Sequence, residues 1–83
     1  MSEAIILIVS PKNGYSHLVA DTLENLHFFA NSVGYKRCWF HNKRGKKRPH
    51  YDINEVDFDR VVEAGAIHVH SYEIINLLKK YYS

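Results

Sequence analysis

The chain has 83 residues, 46% of them hydrophobic, and a formal net charge of +2 with its histidines neutral. A chain of this length holds one hydrophobic core, so we predict a single domain over residues 1–83, and its apolar content argues against intrinsic disorder. No apolar run approaches the ~20 residues of a membrane span, which excludes a membrane partner, and the single cysteine, Cys38, cannot form an internal disulfide, which favours a cytoplasmic location.

The N-terminal part of the chain predicts a strand followed by a helix. Residues 4–9 form a continuous apolar run rich in β-branched side chains, typical of a strand buried on both faces, and residues 10–14 end it with turn-forming residues. The helix is predicted to begin at Asp21 or Thr22 and to stop at Gly34. Its apolar stripe consists of Leu23, Leu26, Phe29, Ala30 and Val33.

The middle of the chain predicts a second strand and a polar loop. Residues 35–40 alternate between aromatic or apolar and polar side chains, as strands do. Residues 41–48 are polar and contain Gly45, so they predict a loop. Pro49 favours extended backbone before it, and residues 50–53 predict a short extended piece.

The C-terminal part predicts a helix, a strand and a last helix. Asn54 is placed to cap the first of these helices, and Gly65 to end it. Residues 66–70 predict a strand, and Ser71 starts the final helix. The order predicts an α/β fold, a small three-layer βαβαβα domain with a short, mostly parallel sheet.

The chain is rich in histidine, a residue suited both to acid–base chemistry near neutral pH and to metal binding. His50 and Asp52 are two residues apart in an extended piece, so they should point to the same side. If His17 and Asp21 converge with them, the result is a site of two imidazoles and two carboxylates. We therefore predict His17, His50 and Asp52 as catalytic residues, with a divalent metal as a cofactor that the sequence leaves undecided. Taken singly, each residue has a simpler explanation, with Asp21 as a helix cap and His17 and His27 as structural histidines.

A basic segment precedes this site and an acidic one follows it. Seven of the eleven Lys and Arg residues fall between positions 36 and 48, and five of the nine acids fall between 52 and 63. Flexible cations suit phosphate contacts, and the neighbouring rings of Trp39 and Tyr51 are suited to stack on bases. The alternative is a solvated loop that contacts nothing. The cations predicted to bind a ligand are Lys43, Arg44, Lys46, Lys47 and Arg48.

Several short segments form a combined pattern. They are YSHLVADTLENLH at residues 15–27, WF at 39–40 after Gly34, PHYDI at 49–53 and GAI at 65–67. Together they resemble the domain-of-unknown-function 4031 family, small proteins of bacteria and their phages, over residues 15–70. The family resemblance implies a shared cleft rather than a known activity. The motif positions that match are His17, Asp21, His27, Trp39, His50, Tyr51 and Asp52, so Asp21, His27, Trp39 and Tyr51 are predicted as ligand-binding residues.

The chain also departs from the family pattern. Tyr15 stands where the family usually has Trp, and Asn25 replaces a Glu. The Asp that often follows the first strand is absent. If that Asp takes part in a family site, this member works differently.

Two functions from different classes remain open at the level of sequence. The first is a histidine-rich, phosphate-directed site for a nucleic acid or nucleotide, with hydrolysis of the phosphodiesterase kind. The alternative is a phage-type interaction protein that binds and inhibits a host protein through Phe28, the basic segment and the Tyr81-Tyr82 tail. The sequence decides neither whether the chain is an enzyme nor whether a second subunit, in a homo-oligomer, completes the site.

Overall fold

The computed structural model describes residues 4–41 and 49–82, which form five strands and three helices. The strands are β1 (Ile6–Ile8), β2 (Tyr15–Ala20), β3 (Phe40–His41), β4 (His50–Asn54) and β5 (Ile67–His68), and the helices are α1 (Leu23–Ser32), α2 (Phe58–Glu63) and α3 (Ser71–Tyr82). Within these ranges no helix has both the length and the apolar character needed to cross a bilayer.

The strands form one mixed sheet in the order β3-β4-β2-β1-β5. Strand β1 pairs antiparallel with β2, β2 with β4, and β3 with β4, whereas β1 and β5 are parallel. The α/β class is therefore confirmed, but the prediction of a mostly parallel sheet is wrong. The error follows from the chain between β1 and α1, where the sequence pattern suggested no strand and the structure has β2.

A tight hairpin turn explains why residues 15–20 form a strand, because it pairs them with β1. Asn13 and Gly14 both have positive φ angles, 56° and 87°. They lie between Lys12 and Tyr15, whose backbone groups exchange two hydrogen bonds of 2.8 and 3.2 Å. Two consecutive positive-φ residues are the mark of the two-residue turn that Asn-Gly favours. The sequence predicts these turn residues as the end of a strand, whereas in the structure they also reverse the chain into an antiparallel partner strand.

The strand predicted over residues 35–40 is largely replaced by a 3-10 turn at Arg37–Trp39, and only Phe40 lies in β3. Tyr35 is buried, and its hydroxyl accepts a hydrogen bond from the Asn54 amide and donates one to Asp57. Its apolar ring and polar tip thus tie the turn to the end of β4. Aromatic alternation by itself did not distinguish this arrangement from a strand.

The helix boundaries follow local capping chemistry. The Thr22 side chain accepts a hydrogen bond from the Asn25 amide and caps α1, and Gly34, with a φ of 95°, follows its end. The Asn54 side chain accepts from the Val56 amide and caps the 3-10 turn that leads into α2. These caps lie where the sequence predicts them, because a cap depends on neighbouring residues only.

The sheet has an apolar cluster on each face. On one face, Ile8, Leu18 and Tyr51 pack with side chains of α1 and α2. On the other, Leu7 and Val19 pack with three residues of α3, namely Ile74, Leu77 and Leu78. The buried members of this second cluster come from β1, β2 and α3, so the β4 side of that face carries polar residues instead.

Candidate functional site

The register of the strands brings four polar side chains to one face of the sheet. His17 of β2 lies opposite Asp52 of β4, and His41 of β3 lies opposite His50 of β4. His50 and Asp52 are two residues apart on one strand. Directly paired residues, and residues two apart on a strand, point to the same side of a sheet. We call these four residues, His17, His41, His50 and Asp52, the His/Asp cluster.

Three imidazoles in this cluster converge on one carboxylate. His17 Nε2 and His50 Nε2 each lie 3.4 Å from Asp52 Oδ1, and His41 Nε2 lies 3.5 Å from Asp52 Oδ2. The His41 and His50 rings stack with centroids 5.5 Å apart, and the His17 and His50 centroids are 4.7 Å apart. The structure thus brings together the three residues predicted as catalytic and adds His41. Their chemical role remains a prediction.

The cluster is open to solvent on one side. The side chain of His17 is 60% exposed and that of His50 only 20%, with Asp52 between them at 34%. Burial lowers the pKa of His17 below its ordinary value of 6.5; a charge on His50 or His41 also lowers it, whereas Asp52 raises it. His17 is therefore neutral at physiological pH, and a neutral imidazole offers a lone pair to a proton or a metal ion.

A groove of about 720 Å³ adjoins the cluster and shares His17 with it. It lies between the β1–β2 turn and the start of α3, with Lys12 and Tyr15 on one side and His70 on the other. Tyr15 is 53% exposed. Such a volume is in the range of small-molecule sites. The cluster therefore adjoins a space large enough to hold a ligand.

Two of the residues predicted to bind a ligand lie in the core instead. Tyr51 is fully buried, His27 is 8% exposed, and a hydrogen bond of 2.7 Å joins His27 Nδ1 to the Tyr51 hydroxyl. Tyr51 alternates with His50 and Asp52 along β4, so its side chain must point to the opposite face. Tyr51 therefore presents no exposed ring on which a base could stack, and His27 shares its buried environment.

Asp21 also lies apart from the three convergent side chains. Its Oδ1 accepts hydrogen bonds of 3.0 Å from the Thr22 amide and the Asn25 side chain. Among the described residues, the group with metal-ligand spacing contains His17, His50 and Asp52 without Asp21. The two-carboxylate site is therefore not formed. The cap of α1 is Thr22, and Asp21 lies one residue before it, where its side chain holds the Thr22 amide and the Asn25 side chain.

Trp39 remains at the surface, 47% exposed, with Lys36 Nζ 5.6 Å from its ring centroid. The cations Lys43, Arg44, Lys46, Lys47 and Arg48 lie outside the described residues.

Sequence reasoning missed His41 as a member of the cluster. It treated His41 as the start of a polar loop, whereas the structure places it in β3 opposite His50. The sequence gives one indication that His41 belongs to the cluster, since His41 and His50 flank the same polar segment. Two such residues face each other only if the flanking strands form a hairpin, which the local pattern did not show.

Comparisons with known proteins point to a family. Neither a curated protein nor a solved structure gives a match to the chain. A family model described as "Protein of unknown function (DUF4031)" matches residues 8–81, and this span contains the whole His/Asp cluster. The resemblance seen in the sequence motifs is thereby confirmed. The chain belongs to the DUF4031 family.

Proposed function

We propose that the chain binds a nucleotide or single-stranded nucleic acid and hydrolyses a phosphate ester at the His/Asp cluster. One observation carries the proposal: three imidazoles converge on Asp52 beside a groove that has room for a nucleotide. Imidazoles gathered around a carboxylate can move protons near neutral pH, which is the chemistry that phosphate ester hydrolysis requires.

The groove supplies suitable contacts for a phosphate ester. Lys12 provides a positive charge, and the exposed ring of Tyr15 provides a flat surface for a base. Both residues stand on the hairpin that also carries His17, so a ligand bound between them places its phosphate near the cluster. Base stacking tolerates any sequence, so we expect little sequence preference.

The basic segment supports an anionic ligand. Five of its seven cations follow His41 and precede His50 in the sequence, and both histidines belong to the cluster. Lys and Arg side chains contribute a large, salt-dependent part of nucleic-acid affinity.

The proposed reaction is attack of water on phosphorus. A new phosphorus–oxygen bond forms to the water oxygen, the ester bond breaks, and one proton of the water ends on the leaving oxygen. The imidazoles of the cluster carry this proton, and Asp52 holds them in place through the contacts of 3.4–3.5 Å. No redox step is involved.

Hydrolysis and binding are to be measured on single-stranded DNA, RNA, cyclic dinucleotides and bis(p-nitrophenyl) phosphate, with and without Mn²⁺ or Zn²⁺. Asp52→Asn should lower the rate by about 100-fold or more, since proton-transfer catalysis typically contributes that much. Lys12→Ala and Tyr15→Ala should raise KM more than they lower kcat. Asp59→Asn, on the exposed side of α2, is the matched control and should behave as the parent.

The outcomes separate the two parts of the proposal. Absence of cleavage of every substrate under all conditions overturns hydrolysis. Absence of salt-dependent binding to nucleotides and nucleic acid overturns the phosphate-directed site as well.

A second candidate, binding to a host protein, is supported by Phe28, which is 77% exposed on α1. An exposed aromatic side chain is a typical anchor of a protein interface. Phe28→Ala should abolish capture of the partner by the immobilised chain, with Leu23→Ala, at 40% exposure, as the control. Capture that is insensitive to Phe28→Ala overturns this candidate.

A further inference from the structure

We infer that His17, His50 and Asp52 bind a divalent transition metal ion, with Zn²⁺ the best match, and that His41 positions the carboxylate. The inference goes beyond the proposed function, because a metal can bind here whether or not a phosphate ester is the substrate. It rests on donor chemistry, distances, strand geometry and exposure.

The donor set is that of a transition-metal site. Two imidazole nitrogens and one carboxylate oxygen suit zinc, iron or manganese, whereas magnesium and calcium prefer oxygen ligands throughout. Catalytic zinc sites commonly have three protein ligands and leave a fourth position for water. His17, His50 and Asp52 match that number, and each can offer one ligand atom to a common ion.

The distances fit an ion between these atoms. All three ligand atoms lie within 4.8 Å of one another. Both imidazole Nε2 atoms are 3.4 Å from Asp52 Oδ1. With metal–ligand bonds of roughly 2.0–2.1 Å and tetrahedral angles, two ligand atoms of one zinc ion stand about 3.3 Å apart. The nitrogen–oxygen separations therefore need almost no adjustment. The two histidine nitrogens, which lie within 4.8 Å of each other, approach by at most about 1.5 Å through side-chain rotation to bind one ion.

The strands hold the ligands in place. His50 and Asp52 come from β4, and His17 comes from its hydrogen-bonded neighbour β2, directly opposite Asp52. Sites on regular elements are more rigid than sites on loops. Binding of an ion therefore requires ordering of side chains but not of backbone.

His41 contacts Asp52, one of the proposed metal ligands, and does not itself bind the ion. Its Nε2 lies 3.5 Å from Asp52 Oδ2, the oxygen that the other two histidines leave available, and its ring stacks on His50. A partner on the outer oxygen favours coordination through Oδ1 alone and fixes the carboxylate orientation. His41 is therefore a positioning residue for both Asp52 and His50.

The exposed side of the site leaves room for a further ligand. His17 is 60% exposed and lines the groove, so the fourth coordination position would lie near that opening. With neutral histidines, the donor set carries one negative charge, and a divalent ion makes the site net positive. Such a centre attracts anions, and His41 remains as an imidazole that can move a proton.

The test measures metal binding by the full chain after removal of metals with a chelator. Calorimetric titration with Zn²⁺ should show one ion per chain, and Co²⁺ should give the visible absorption of a four-coordinate ion. His17→Gln and Asp52→Asn should weaken binding by at least about 100-fold, and His41→Gln by about 10- to 100-fold, as loss of an outer partner does. Asp59→Asn, an exposed carboxylate of α2 outside both the cluster and the groove, is the control and should bind as the parent.

The parent supplies a second measurement that does not depend on folding of the variants. An ion that binds only the folded chain raises Tm by an amount that grows with its concentration. Failure of the parent to bind Zn²⁺ or Co²⁺, or binding by His17→Gln and Asp52→Asn as tight as in the parent, overturns the inference. Metal binding without any hydrolysis overturns only the proposed function, and chelator-insensitive hydrolysis without metal binding overturns only the inference.

Discussion

At the scale of single residues, two histidines of the same sequence motif, residues 15–27, have opposite environments. His17 lies on the open face of the sheet beside Asp52, whereas His27 lies in the core beside Tyr51. Burial lowers the pKa of His27, as does the charge of Arg37, and burial raises the pKa of Tyr51. Both members of this buried pair are therefore neutral at pH 7, and their hydrogen bond is between uncharged groups.

The buried pair predicts a pH dependence of stability. The pKa of His27 in the folded chain lies below the ordinary 6.5, so on acidification the unfolded chain takes up its proton first. The free energy of unfolding is then fully retained above about pH 6.5 and falls as the pH decreases from there towards the folded pKa. The lowered pKa of His17 likewise makes the free energy of unfolding fall on acidification. Urea unfolding at several pH values between 5 and 8 measures how the free energy of unfolding changes with pH.

The variant His27→Gln should show a smaller loss of stability on acidification than the parent, because it lacks one of the titrating groups. Asn31→Gln, an exposed substitution on the same helix that changes no titrating group, is the matched control and should keep the parent's slope. Equal slopes for the parent and His27→Gln would contradict the assignment to His27.

At the scale of elements, two hairpins form the candidate site. The first joins β1 to β2 through Asn13-Gly14 and carries His17, and the second joins β3 to β4 and carries His41, His50 and Asp52. Pairing of β2 with β4 brings the two hairpins together. The site therefore depends on strand pairing and on the Asn13-Gly14 turn, which contains none of its side chains.

Replacement of the glycine in the Asn13-Gly14 turn should lower the stability of the chain. Gly14 has a φ of 87°, and a Cβ added there would meet no atom within 4 Å, so a substitution acts on the backbone and not through a clash. Gly14→Ala should lower the free energy of unfolding by about 1–2 kcal/mol, the cost of the left-handed conformation for a residue with a side chain. Chemical denaturation measures it, and Asn13→Gly, which tolerates the same backbone, is the control. Unchanged stability of Gly14→Ala would show that the turn adopts another conformation.

At the scale of the whole molecule, the two apolar clusters share the same strands. Leu18 points into the cluster with α1 and α2, and its neighbour Val19 points into the cluster with α3. Neither cluster can separate from the sheet without exposing residues of β1 and β2. We therefore expect the chain to unfold in one cooperative transition.

A substitution in α3 tests this coupling. Leu77 is 6% exposed and packs on the β1–β2 side of the sheet. Leu77→Ala should cost about 2–4 kcal/mol, which for a domain of this size lowers Tm by roughly 10–20 °C. Ile75→Ala, at 44% exposure on the same helix, should cost far less. Far-ultraviolet circular dichroism and Trp39 fluorescence should give coincident transitions, and an early transition confined to α3 would contradict the coupling.

Features that depend on neighbouring residues were predictable from the sequence. The sequence predicts the start of α1 at Asp21 or Thr22, the glycine after α1, the Asn54 cap and the shared side of His50 and Asp52, because each follows from backbone geometry within a few positions. The motif pattern also identified the family. The same rule of alternation would have shown that Tyr51 faces away from its two neighbours.

Which distant residues meet depends on the tertiary structure. The antiparallel sheet, the placement of His17 opposite Asp52 and the addition of His41 all depend on strand register. A shift of one residue would send every side chain of a strand to the other face. Strands β2 and β4 are not consecutive in the chain, so no turn between them fixes their register. The burial of His27 has the same origin, since its partner Tyr51 comes from β4. The candidate site is therefore a property of strand pairing, and the sequence supplied the residues without showing how they meet.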